Sequence, residues 1–138
     1  MHLTIEFDRI APILTPNIID FITEVLLPMD IMDTIKQQIA DNAVILYMKG
    51  SPNAPQCGFS MKTSQAVMAC GKKFAYVDVL TNPEIRATLP KYAEWPTFPQ
   101  LWVGGELVGG CDIVTEMHTA GDLQPLIDAA VPAEGSES

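Results

Sequence analysis

One cysteine in this chain is placed to be reactive. Cys57 opens the run Cys57-Gly58-Phe59-Ser60, directly after a polar, proline-containing loop from Gly50 to Gln56. The pattern that follows is helical. A cysteine at a helix start faces unpaired backbone N–H groups and the positive end of the helix dipole. Both favour the thiolate, which is the nucleophile and the metal-binding form of the side chain. Three residues on, where a C-x-x-C pair would carry its second sulfur, stands Ser60. A hydroxyl cannot close a disulfide. The site is therefore built to hold one sulfur, for a mixed disulfide or for a metal.

The other sulfurs read differently. Cys70, at the far end of the same helix, is read as a small buried hydrophobe. At Cys111 the backbone is expected to matter more than the thiol. Three cysteines without regular spacing fit a reducing compartment, not a disulfide framework. His2 and His118 lack partners at metal-ligand spacing and read as surface residues.

The elements around these residues follow from the pattern. The chain has 138 residues, 48% of them apolar, enough for one packed domain. Its net charge of −9 argues against a nucleic-acid backbone binder. No apolar run is long enough to span a membrane. Arg9 is the only Lys or Arg before Lys36, which makes a poor signal or transit peptide, so the expected compartment is the cytoplasm. Residues 1–31 form an N-terminal extension punctuated by Pro12, Pro16 and Pro28. It is either a short amphipathic helix, with Ile18, Ile22, Val25 and Leu26 at helical spacing, or a stretch upstream of a true start at Met29 or Met32. Residues 32–131 form the domain, and 132–138 a tail with no reason to be ordered.

Within the domain, a helix marked by Ile35 and Ile39 precedes the apolar strand Val44–Met48. The Cys57 helix runs to about Cys70. A strand from Phe74 to Val79 leads into a helix ending near Ala93. Its start is either a capping box of Thr81 and Glu84 or the pair Asn82-Pro83. Phe98–Val103 and Glu106–Val108 are strands joined by a Gly104-Gly105 turn. A last helical region spans about Cys111–Ala130, interrupted at Gly121-Asp122. Strands joined through helices are parallel, and a hairpin adds antiparallel strands. The expected fold is α/β: a four-stranded mixed sheet with helices on both faces, and ligands beyond the carboxyl ends of the strands.

With Lys49, the segment Trp95-Pro96-Thr97-Phe98-Pro99-Gln100 and the segment Gly109-Gly110-Cys111-Asp112, the Cys57 motif resembles monothiol glutaredoxins of the CGFS class. The resemblance covers about residues 32–130 and implies a thioredoxin fold that binds glutathione. By that resemblance, Lys49 and Arg86 pair with the glycine carboxylate of the tripeptide, and the Phe98 backbone bonds its cysteine main chain. Pro99 matches the family's cis-proline. Cys111 and Asp112 match the pair that holds the γ-glutamyl end. Such a ligand carries two carboxylates and one ammonium, so cations, backbone donors and one anion suit it. The plainer readings are that Lys49 and Arg86 are solvated, that Phe59 and Phe98 belong to the core, and that Trp95 and Trp102 pack.

Two functions fit. In the first, two chains and two glutathiones hold one 2Fe–2S cluster through two Cys57 thiolates, since such a cluster needs four ligands and one chain offers a single exposed cysteine. The implied partners are a second copy of the chain, a BolA-type protein and iron–sulfur client apo-proteins. In the second, Cys57 attacks glutathione mixed disulfides and a second glutathione resolves them. Seven residues separate Lys49 from Cys57, more than in dithiol relatives, and in the family this longer loop goes with cluster binding. Cluster transfer is therefore the favoured expectation.

Overall fold

The computed structural model describes residues 30–131 of the chain. The expectations for the N-terminal extension, apart from its last residues, and for the tail lie outside the described residues.

The described chain runs α1 (Ile31–Asp41), β1 (Val44–Met48), β2 (Gly50–Ser51), β3 (Ala54–Pro55), α2 (Gly58–Ala69), β4 (Ala75–Asp78), α3 (Pro83–Ala93), β5 (Gln100–Val103), β6 (Glu106–Gly109), α4 (Cys111–Ala120) and α5 (Leu123–Ala130). The main sheet has the order β4-β1-β5-β6. β1 is parallel to β4 and antiparallel to β5, and β5 pairs antiparallel with β6. This is the thioredoxin-type mixed sheet expected from the sequence.

The central position of β1 explains its unbroken apolar sequence. All five of its residues are buried, because both faces of the sheet are covered. Side chains alternate along a strand. Val44, Leu46 and Met48 pack with Val67, Val114, Leu123 and Ile127, on the side of α2, α4 and α5. Ile45 and Tyr47 pack with Ile35, Ile39, Ile85 and Leu89, on the side of α1 and α3. Each fully buried aliphatic side chain contributes about 1.5–3 kcal/mol of hydrophobic stabilisation. The Tyr47 hydroxyl escapes an unpaired burial by donating to Gln38 Oε1 at 2.8 Å. Burial, with a smaller contribution from Tyr92, pushes its ionisation far above the ordinary tyrosine range.

Several boundaries differ from the sequence reading. The third main strand starts at Gln100, not Phe98, because Pro99 has no N–H to donate to a ladder. The Phe98–Pro99 peptide is cis, in line with the family proline. The capping box at Thr81 and Glu84 does not form. Asn82 is the N-cap with Pro83 behind it, and the Thr81 hydroxyl donates instead to the Asp78 carbonyl at 3.1 Å. The loop before Cys57 is not irregular throughout: β2 and β3 form a small hairpin inside it. Phe59 is not core; it is 61% exposed.

Candidate functional site

The strand directions converge on one end of the sheet. β1 and β4 are parallel, so Lys49 and the loop to α3 leave from the same edge. β5 runs the other way, so its first residues, preceded by Phe98 and Pro99, lie at that edge too. β6 reverses again and delivers Gly110, Cys111 and Asp112 there. Across the sheet order, Arg86 on α3 and Lys49 stand on one side, and Asp112 on the other.

These residues enclose a cavity of about 650 Å³. Lys49, Arg86, Phe98, Pro99, Cys111 and Asp112 all line it. Cys57 is not on its wall, but both Lys49 and Phe59 are, and Phe59 sits two residues along α2. Trp95, expected only to pack, is also a wall residue. Among the described residues its indole Nε1 is buried without a hydrogen-bond partner. Gly110 sits against this tryptophan and the proline loop. A Cβ there would come within 3.2 Å of the Pro99 carbonyl oxygen and 3.4 Å of Trp95 Nε1, so a larger residue would push the α4 start away from the loop.

Cys57 is the N-cap of α2, in extended conformation, and its carbonyl accepts the Met61 N–H at 2.9 Å. The first turn of α2 carries no acidic residue, so nothing on the helix competes with the sulfur for the positive end of the dipole. Burial pushes the thiol up, but the backbone N–H and hydroxyl of Ser60, the Phe59 N–H and the Lys49 charge outweigh it. The net effect holds Cys57 below the ordinary thiol range. That favours the thiolate, the reactive form, at a partly exposed sulfur.

Ser60 does more than replace a second cysteine. It is fully buried, and its Oγ accepts the Lys49 N–H at 3.0 Å. One hydroxyl thus ties the start of α2 to the end of β1. The chain returns to Cys57 through the small hairpin, closed by the Gln56 N–H donating to the Lys49 carbonyl at 2.9 Å. Gly50 makes this return possible. Its φ is +93°, and a Cβ would lie 2.5 Å from the Ala54 carbonyl oxygen. The proline loop is held by Gln100, whose Nε2 donates to the carbonyls of Trp95 at 2.9 Å and Thr97 at 3.2 Å. The Trp102 indole Nε1–H in turn donates to Gln100 Oε1 at 3.2 Å.

Cys70 caps the other end of α2 and is buried. Burial, then the neighbouring Asp128 carboxylate, pushes its thiol up. Cys111 is partly exposed at the first position of α4. Lys49 is half-buried and Arg86 exposed. His118 is exposed. Among the described residues no three His, Cys, Asp or Glu side chains come together to hold a metal within one chain. None of the described helices is long and apolar enough to cross a membrane.

Sequence reasoning quoted Ser60 and Gln100 without their roles and passed over Asp78, whose carboxylate accepts the Gly50 N–H at 2.9 Å. A polar residue closing an apolar strand was the available signal at Asp78.

Comparison with known proteins places this arrangement. The glutaredoxin family profile matches residues 44–108. Glutaredoxin 4 of Escherichia coli is 62% identical over 106 residues, covering 77% of this chain and 92% of the relative. The solution structure of a monomeric truncated mutant of Trypanosoma brucei 1-C-Grx1 is 36% identical, with a TM-score of 0.67, covering 77% of this chain and 96% of that one. The crystal structure of a buckwheat glutaredoxin–glutathione complex is 22% identical, with a TM-score of 0.63, over 72% of this chain and 88% of that one; it shares the fold.

Proposed function

This chain belongs to the glutaredoxin family, and from that premise we propose that it binds glutathione in the cavity and, as a pair of chains, carries and hands on a 2Fe–2S cluster. The observation that carries this reading is the partly exposed Cys57, its thiol held below the ordinary range, beside a cavity with cations on one side and a carboxylate on the other. Glutathione suits that polarity. Its glycine carboxylate would meet Lys49 and Arg86, and its γ-glutamyl end would meet the α4 start at Cys111 and Asp112. A buckwheat protein of the same fold was crystallised with glutathione, which supports the ligand class. Its thiol would then lie near Cys57.

Each chain in that state presents two sulfurs, its own and the tripeptide's. Two chains supply the four that a 2Fe–2S cluster needs. The lack of any multidentate metal site among the described residues of one chain agrees with a shared cargo. A cluster held partly by a dissociable thiol is readily passed to client apo-proteins. A BolA-type partner that supplied its own ligands would replace one Cys57–glutathione set, and the cytoplasm is the compartment that fits free thiols. Anaerobic reconstitution with iron and sulfide tests the reading. With glutathione, a coloured dimer with one cluster per two chains is expected; a stable cluster formed without any added thiol would contradict it.

A second reading draws on the same lowered thiol. A partly exposed thiolate is also the attacking group of a deglutathionylating oxidoreductase. Ser60 removes the internal resolving cysteine, so turnover of a small glutathione mixed disulfide is expected to be slow beside a C-x-x-C glutaredoxin. Fast, Cys57-dependent turnover would put this reading first.

A further inference from the structure

We infer that Asp78 is a positioning residue that sets Lys49, a cation of the cavity, through hydrogen bonds its carboxylate accepts from backbone amides. The inference deepens the reading of the cavity as an anion-binding glutathione site and rests on it for its biological meaning. Asp78 is the last residue of β4, in register with Met48 of β1. One carboxylate oxygen, Oδ1, accepts two amides: Gly50 N–H at 2.9 Å and Leu80 N–H at 2.9 Å. Gly50 directly follows Lys49. The Lys49 N–H is itself held by Ser60 Oγ at 3.0 Å. The amides on either side of the Lys49 Cα are therefore both clamped, one by α2 and one by β4. That fixes the direction in which the lysine side chain leaves the backbone.

The backbone of the same residue also holds the start of α3. The Asp78 carbonyl accepts Asn82 Nδ2 at 2.9 Å, the Thr81 hydroxyl at 3.1 Å and the Thr81 N–H at 3.2 Å. Asn82 is the N-cap of α3, and the Arg86 N–H donates to its carbonyl at 3.0 Å. Arg86 thus stands one turn into a helix whose start is tied to Asp78. Hydrogen bonds to a charged acceptor are stronger than neutral ones, and one carboxylate oxygen can take two donors. Among the described residues neither Lys49 nor Arg86 forms an ion pair; the ion pair found there joins Lys72 and Asp128. The Asp78 carboxylate directs Lys49 without neutralising it in a salt bridge.

The test compares the alkylation of Cys57 by iodoacetate and by iodoacetamide on the full chain, with the modified peptide quantified by mass spectrometry. Both reagents need the thiolate, so the ratio of rates cancels its population and reports the local field on an incoming carboxylate. Lys49 is close enough to act on Cys57. Asp78→Ala is expected to lower the iodoacetate-to-iodoacetamide ratio about threefold, as a cation lost from a surface site would. Asp78→Asn keeps an oxygen for both amides and should hold the ratio at or above the wild-type value. In a Lys49→Met background, Asp78→Ala should change the ratio less than it does in the wild type.

A direct charge effect has the opposite sign, since removing a carboxylate by itself favours the anionic reagent. An unchanged or raised ratio in Asp78→Ala, or effects of Asp78→Ala and Lys49→Met that simply multiply, would overturn the inference. If Asp78→Ala does not fold, Asp78→Ser, too short to reach both amides, carries the same expectation. No glutathione enters this assay. Calorimetric titration of the wild type with glutathione, run alongside, decides the ligand reading separately.

Discussion

The two ends of α2 carry the same side chain and make opposite chemistry of it. Cys57 stands at the amino end, where the Ser60 and Phe59 donors and the Lys49 charge overcome the cost of burial and hold the thiol low. Cys70 stands at the carboxyl end, where burial and the Asp128 carboxylate push it high. At the first end a helix offers unpaired N–H groups, and at the second unpaired carbonyls. Cys70 lies in the core with Val67 and Val114, whereas Cys57 is partly exposed beside a cavity wall. Reactivity in this chain is thus a property of position along one helix, not of the cysteine.

The contrast is broken most sharply by exchanging the sulfurs one at a time. Cys57→Ser should abolish glutathione-dependent cluster assembly, and Cys70→Ala should leave it nearly intact; visible absorbance after anaerobic reconstitution reads both. Next in size is selectivity. At neutral pH, iodoacetamide should modify Cys57 at least about tenfold faster than Cys70 in the folded chain, as expected for an exposed thiolate against a buried thiol. Equal rates in peptide mapping would erase the comparison.

Ser60→Ala sharpens it from one side. The change removes a donor to the thiolate and the acceptor of the Lys49 N–H. It should raise the Cys57 titration and slow its alkylation at neutral pH. It should also cost about 1–3 kcal/mol in denaturant unfolding, because a backbone donor in a partly buried site loses its partner.

The pH dependence of stability separates the two ends by sign. The lowered Cys57 thiol stabilises the folded chain above the ordinary thiol range, and that contribution is lost as pH falls through its folded value. The raised Cys70 thiol contributes below the ordinary range, and its contribution is lost as pH rises. Unfolding free energy measured between about pH 7 and pH 9.5, a span that brackets the ordinary thiol value, should therefore change slope in opposite directions. Relative to the wild type, Cys57→Ser should make the slope with rising pH more negative, and Cys70→Ala more positive. The smallest effect belongs to Asp128→Asn. It should let the Cys70 thiol titrate slightly lower, while the melting temperature hardly moves, since Asp128 lies at the surface.

Much of this was legible in the sequence because it rests on local pattern. β1 announced itself as a continuous apolar run, since the central strand is covered on both faces. Cys57 was legible from the loop before it and the helix after it. α2 was harder to read for its packing. Phe59, Met61 and Met68 are exposed on it, so apolar residues occur on its outer side as well as its inner one. The plainer reading of Phe59 as core fails for that reason: an apolar side chain on a cavity rim has the same letter as one in the core. Ser60, Asp78 and Gln100 act on residues distant in the chain or on irregular backbone, such as the Gly50 amide 28 positions before Asp78. Hydrogen bonds of that kind leave no periodic trace.

Native mass spectrometry of the anaerobically reconstituted protein tests the central claim most directly, because it counts sulfur donors and chains together. The account predicts a species of two chains, two glutathiones and one 2Fe–2S cluster, absent from Cys57→Ser and present in Cys70→Ala. A cluster-bearing monomer, a cluster-bearing dimer without glutathione, or assembly that survives Cys57→Ser and fails in Cys70→Ala would contradict it.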